Sequence, residues 1–109
     1  MNIIINAKDA LKKNKNEKII HIQTTIEDNN LVIAIRDNAG GIEDSIIDKI
    51  FEPYFTTKHQ YKGTGIGLYM SKIMVEKHLF GSIEVKNKEF EYLYKKYLGA
   101  EFKLYLPIS

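Results

Sequence analysis

Residues 18–27 (KIIHIQTTIE) alternate apolar and polar side chains with a period of two, and Leu31, Ile33 and Ile35 repeat the alternation after Asp28-Asn29-Asn30. A period of two is the signature of a strand with one face turned inward. Asp and Asn tolerate the backbone angles of a tight reversal. The stretch therefore predicts a β-hairpin with Ile20, Ile22, Thr24 and Ile26 on one side, returning through Leu31, Ile33 and Ile35. Helical spacing flanks it. In residues 1–14, Ile3, Ala7, Ala10 and Leu11 fall on one stripe, while Asn2 and Asn6 share another face. A break at Asp37-Asn38-Ala39-Gly40-Gly41 is followed by a short helix over 43–50, a loop over 52–63 and a second clear helix over 66–79 that ends before Gly81. Ile83 and Val85 open another strand, and Phe102, Leu104 and Leu106 alternate in a last one before Pro107. Residues 88–98 (KEFEYLYKKYL) fit two templates: Phe90, Leu93, Tyr94 and Tyr97 lie on a helical stripe, and a tyrosine-rich hairpin arm fits equally.

With 109 residues and no internal repeat or low-complexity linker, the chain reads as one domain. A hydrophobic content of 44% against 28% charged residues is a globular balance that argues against disorder. The net charge of +2 is too small, and the lysines too scattered, to imply a nucleic-acid partner. No cysteine is present, which excludes disulfides and thiolate metal sites and fits a reducing cytosol. The longest apolar run, Ile3–Ile5, is far short of a membrane span, so no direct membrane contact is expected from this segment.

Three elements can carry chemistry. Gly63, Gly65 and Gly67 alternate in Lys62-Gly63-Thr64-Gly65-Ile66-Gly67-Leu68, directly before the second helix. Such a loop lets backbone N–H groups approach an anion and adds the partial positive charge of a helix start. It serves equally as a plain tight turn. Asp37 ends an apolar strand four residues before Gly41; a carboxylate so placed can accept a hydrogen bond from an exocyclic amine such as that of adenine, or it can be a solvated turn residue. Asn2 and Asn6 offer neutral amide oxygens suited to Mg²⁺ that also holds water and phosphate oxygens, or they form an ordinary polar helix face.

Their order is more informative than any one of them. N-x-x-x-N-A-x-x-A (Asn2–Ala10), D-x-x-x-G (Asp37–Gly41), F-E-P-Y-F-T-T-K (Phe51–Lys58) and G-T-G-I-G-L (Gly63–Leu68) resemble the N, G1, F and G2 boxes of sensor histidine kinases. Those catalytic domains share an ATPase superfamily with gyrase, the Hsp90 chaperones and MutL. The resemblance covers the whole chain, with Gly99–Pro107 similar to the family's final G-x-x-F…L-P strand. It implies ATP and Mg²⁺ as ligands. Asn6 is then the Mg²⁺ ligand, Asn2 helps to place metal and phosphates, Asp37 meets the adenine amine and Gly41 supports a water-mediated adenine contact. Phe51 and Phe55 anchor the hinge of a lid over 56–64, with Lys58 as a candidate phosphate contact. Gly63, Thr64, Gly65, Gly67 and Leu68 line the triphosphate. Hydrolases of the superfamily carry a glutamate at the position of Asn2, and an asparagine cannot take a proton from water, so transfer is favoured over hydrolysis.

The chain departs from the family pattern in places. Ala39 stands for a glycine of the G1 turn, Ala100 for a threonine that supports the adenine water, and Asp9 for a basic residue. Met1 falls inside the N-box, so an N-terminally truncated domain is expected, without the helical pair that carries the phosphoacceptor; none of His21, His59 or His78 lies in a phosphoacceptor context. The resemblance implies an α/β two-layer sandwich of the Bergerat type, with a mixed, mostly antiparallel sheet and helices packed on one face. It also implies that residues 1–109 are the ATP-binding catalytic domain. The partners the resemblance implies are a histidine-containing dimerisation domain and a response regulator receiver domain, in the cytoplasm, with the intact protein open to membrane anchoring. The alternative is a nucleotide-binding module without transfer activity.

Overall fold

The computed structural model describes residues 2–14, 17–53 and 67–108. The elements are α1 (Asn2–Leu11), β1 (Ile20–Glu27), β2 (Asn30–Asp37), α2 (Asp44–Ile47), α3 (Gly67–Ile73, running on as a π-helical turn Met74–His78), β3 (Ser82–Tyr92) and β4 (Lys95–Pro107). The four strands form one sheet in the order β1-β2-β4-β3, and each of these pairings is antiparallel. Helices cover one face, giving the expected α/β two-layer architecture.

The first hairpin closes through Asp28 and Asn29, whose φ angles of 50° and 64° are those of a type I′ reversal that matches strand twist. Its register sets Ile22 opposite Ile35, Ile35 opposite Phe102, and Phe102 opposite Val85, so one apolar row crosses all four strands. A second row runs Ile33, Leu104, Ile83. Ile3, Ala7 and Leu11 recur every four residues along α1 and are buried; Ile3 joins Ile35, Ile50, Val75, Ile83, Ala100, Phe102 and Leu104 in the core. Each fully buried aliphatic side chain there contributes about 1.5–3 kcal/mol. The cover thins over the edge strand, where Ile22 and Ile26 stay 51% and 71% exposed.

Two elements differ from the sequence expectation, and the 88–98 stretch takes one of the two forms it left open. The helix expected over 43–50 is only the four residues of α2, because Ile50 turns into the core and Phe51 sets its ring edge-on to Phe102 at 6.0 Å. The helix expected over 66–79 changes at Met74 to i→i+5 bonding, with the Leu79 N–H donating to the Met74 carbonyl at 3.1 Å. The 88–98 stretch is the hairpin arm, not a helix. It reverses at Leu93 and Tyr94, both at positive φ (50° and 67°), and pairs Phe90 with Tyr97.

That arm bends across the sheet face away from the helices, where Phe90 stacks on His21 with ring centroids 6.0 Å apart. Beneath it Glu101, 1% exposed, accepts from Arg36 Nε at 2.6 Å, with Lys86 and Lys88 at 3.8 and 3.7 Å. Arg36 Nη1 also donates to His21 Nδ1 at 3.1 Å and to Gln23 Oε1 at 3.0 Å. A buried charge needs such company, because taking it out of water costs several kcal/mol. Among the described residues no helix is long and apolar enough to cross a membrane.

Candidate functional site

β2 runs with its apolar register into the core and ends at Asp37, which the last turn of the strand leaves only 6% exposed. Burial raises the pKa of this carboxyl above its ordinary value of 3.8; N–H donors at Ala39 and Ala100 pull the other way. Both donate to Oδ1, at 3.0 and 3.4 Å. The first of these, two residues on in the chain, is an Asx-type turn that starts the reversal. β4 approaches from the other side through Gly99. A Cβ there would lie 1.6 Å from the Asp37 carbonyl oxygen, so only glycine lets the two backbones meet.

The turn that follows is pinned at several points. Gly40 and Gly41 have φ of 96° and 94°, angles that side-chain-bearing residues rarely adopt. Gly40 N–H donates to the Leu98 carbonyl at 3.0 Å. Asn38 Oδ1 accepts from the Ile19 N–H at 2.9 Å, its Nδ2 donates to the Glu17 carbonyl at 3.0 Å, and Asn14 Nδ2 donates to its carbonyl at 3.0 Å. Glu17 in turn holds the hairpin arm through Lys95 at 3.2 Å and through the Tyr97 hydroxyl. Those two hydrogen bonds, Tyr97 first, hold the Glu17 carboxyl below its usual range. Ile42 is bonded through both its N–H and its carbonyl to the Asn87 side chain, each at 2.7 Å.

α1 carries the half-buried Asn6 and packs on β2 and against α3. α3 begins at Gly67, whose carbonyl accepts from Ser71 Oγ at 3.0 Å, and its Leu68 packs on the core. Phe51 lies beneath Lys72, whose ammonium stands 5.5 Å from the ring centroid. The fold thus makes neighbours of a buried strand-end carboxylate, an amide-bearing helix and the helix that follows the glycine loop. Among the described residues no group of three or more His, Cys, Asp or Glu could hold a metal by itself.

Residues 1–109, the entire chain, match the model of the histidine kinase-, DNA gyrase B- and HSP90-like ATPase family. The chain belongs to this family. Within the histidine kinase-, DNA gyrase B- and HSP90-like ATPases its similarity runs to sensor kinases. It is 37% identical over 113 residues to the two-component sensor PprA of Pseudomonas aeruginosa. It is 39% identical over 110 residues to the signal transduction histidine-protein kinase AtoS of Escherichia coli. Both alignments take in 100% of this chain but only 11% and 16% of the relatives' lengths. The fold superposes on the nucleotide-free catalytic domain of histidine kinase ThkA with a TM-score of 0.71 and 25% identity, covering 97% of this chain and 64% of that one.

For this ATPase-family domain, Asn6, Asp37, Gly41, Gly67 and Leu68 of the sequence candidates are placed by the structure. Phe55, Lys58, Gly63, Thr64, Gly65, the lid over 56–64 and the side chain of Asn2 lie outside the described residues. Sequence reasoning set Asn38 in the Asp37–Gly41 turn and Gly99 at the start of the last strand, but missed Asn87 and the close pass of Gly99 against Asp37. One signal was available: Asn87 continues the inward register of Ile83 and Val85, where an apolar residue belongs.

Proposed function

We propose that residues 1–109 are the ATP-binding catalytic domain of a sensor kinase, which holds ATP with Mg²⁺ and donates the γ-phosphoryl group to a histidine. That histidine lies on a dimerisation and phosphoacceptor domain, and the phosphate passes on to the receiver domain of a response regulator in the cytoplasm. Asp37 carries the reading: a carboxylate buried at a strand end without a cationic side chain among the causes of its shifted pKa is suited to a neutral N–H donor supplied by a ligand. The adenine amine is such a donor. The pinned glycine turn at Gly41 sets backbone beside it, where a water can bridge to the base.

Asn6, with Asn2 one turn before it, supplies neutral oxygen toward the triphosphate. Mg²⁺ keeps several waters and binds through few protein oxygens plus phosphate, so the donor set fits an ion that arrives with the nucleotide. When bound, the ion neutralises charge on the phosphates. Gly63, Thr64, Gly65, Gly67 and Leu68, with Lys58, are assigned to the phosphate end by the order of the motifs. Asn2 cannot deprotonate water, so the domain orients the γ-phosphate for a nucleophile brought by its partner instead of hydrolysing it. The family match over the whole chain and the sensor-kinase names of its relatives support this assignment.

The test combines the chain with γ-labelled ATP, Mg²⁺ and a separately made helical domain bearing the acceptor histidine. Labelled phosphohistidine is expected. Binding of a fluorescent ATP analogue with no transfer would reduce the domain to a nucleotide-binding module, and rapid phosphate release from the chain alone would make it a hydrolase. No nucleotide binding at all would overturn the assignment.

A further inference from the structure

Among the described residues, the turn at 38–42 takes part in no strand pairing, yet Ile42 is bonded to β3 as if it did. Asn87 Oδ1 accepts the Ile42 N–H and Asn87 Nδ2 donates to the Ile42 carbonyl, both at 2.7 Å. One amide side chain thereby completes both polar groups of a residue, the job a neighbouring strand does for a paired one. The glycines give the turn no stiffness of their own, since glycine has the widest choice of backbone angles. Asn87 sets the place of Gly41. A Cβ on Gly41 would sit 2.7 Å from Asn87 Oδ1, so the amide rests directly on the glycine backbone.

The other side of the turn belongs to β4, through the bond from Gly40 N–H to the Leu98 carbonyl and the close pass of Gly99 against Asp37. Asn87 on β3 thus closes the far end of the turn whose near end orients Asp37 through the Ala39 N–H. We propose that Asn87 is a positioning residue for base recognition: it fixes the Gly41 backbone and, through the turn, the aim of the Asp37 carboxylate at the adenine edge. This rests on the ATP reading above. No neighbouring choice does the same work. Ionised aspartate cannot donate to the Ile42 carbonyl, leucine satisfies neither group, and serine has a single, shorter hydroxyl in place of the two-atom amide fork.

The experiment measures the affinities of the 109-residue chain for ATP and GTP by competition against a fluorescent nucleotide. The variants are Asn87→Leu, Asn87→Ser and Asn87→Gln, with melting curves on each. A positioning role predicts that Asn87→Leu loses about tenfold in ATP affinity with little change for GTP, so the preference for ATP collapses. Asn87→Ser is expected to fall between, and Asn87→Gln, which keeps donor and acceptor, to recover part of the preference. A lower melting temperature with an unchanged ATP-to-GTP ratio in the folded protein would mean that Asn87 is structural only, and overturns the proposal. If Asn87→Leu does not fold, the same ratio read on Asn87→Ser decides. Failure of the unmodified chain to bind ATP overturns the ATP reading itself, a result distinct from an unmoved ratio in the variants.

Discussion

Replacing Asp37 with asparagine is expected to move stability and nucleotide affinity in opposite directions. The carboxyl is 6% exposed, and burial raises its pKa above 3.8. A carboxyl whose folded pKa lies above its unfolded one favours folding fully below the unfolded value, and that contribution is lost as pH rises through the folded pKa. Above that folded pKa the unliganded domain carries a desolvated negative charge. The amide of the Asp37→Asn variant would keep an oxygen for the Ala39 and Ala100 N–H donors, which stand 3.0 and 3.4 Å from Oδ1, while removing that charge. The ligand-free Asp37→Asn chain should melt no lower than the parent at pH 7, with any gain shrinking as pH falls toward 4. Affinity goes the other way. A hydrogen bond to a charged acceptor is worth about 1.5–3 kcal/mol, and each 1.4 kcal/mol is about tenfold, so ATP should bind roughly tenfold or more weakly. Melting curves from pH 4 to 8 and titration of a fluorescent ATP analogue with Mg²⁺ test both halves. A variant that is less stable at neutral pH and binds ATP as well as the parent would refute the assignment of Asp37 to the ligand.

Asn6→Ala is expected to abolish the enhancement of ATP binding by Mg²⁺ while leaving metal-free affinity within about threefold, as titrations with and without the ion will show. Gly99→Ala forces a methyl to within 1.6 Å of the Asp37 carbonyl and 2.8 Å of its Oδ1, so urea unfolding should report a loss of about 1–3 kcal/mol or more, with ATP affinity falling too. Arg36→Met leaves the buried Glu101, among the described residues, with Lys86 and Lys88 as its cationic neighbours at 3.8 and 3.7 Å; the expected cost is about 3–5 kcal/mol by denaturant titration. The double variant Arg36→Met with Glu101→Leu should regain much of that loss, because no charge is then stranded.

The first hairpin was legible because its information is local. Ile20 to Ile26 and Leu31 to Ile35 repeat every two residues, and Asp28 and Asn29 are residue types that accept positive φ. The helical stripe of Ile3, Ala7 and Leu11 was legible for the same reason, as was Asp37 at the strand end. The 88–98 arm was not. Its reversal uses Leu93 and Tyr94 at positive φ, with no glycine or asparagine to signal a turn, and its aromatics satisfy a helical period as well as a strand period. What settles it is the pairing of β3 with β4 and the stacking of Phe90 on His21, from the opposite edge of the sheet.

The candidate site divides along the same line. Residue order along the chain already brought an amide helix, a strand-end carboxylate and a glycine loop into one family pattern, because each is a short motif with its own chemistry. Only the tertiary structure brought Asn14, Asn87 and Gly99 against that corner. A turn rich in glycine holds no shape by itself, so the groups that give it one have to come from elsewhere in the chain: Asn87 stands 45 residues from Ile42, a separation that no local period encodes.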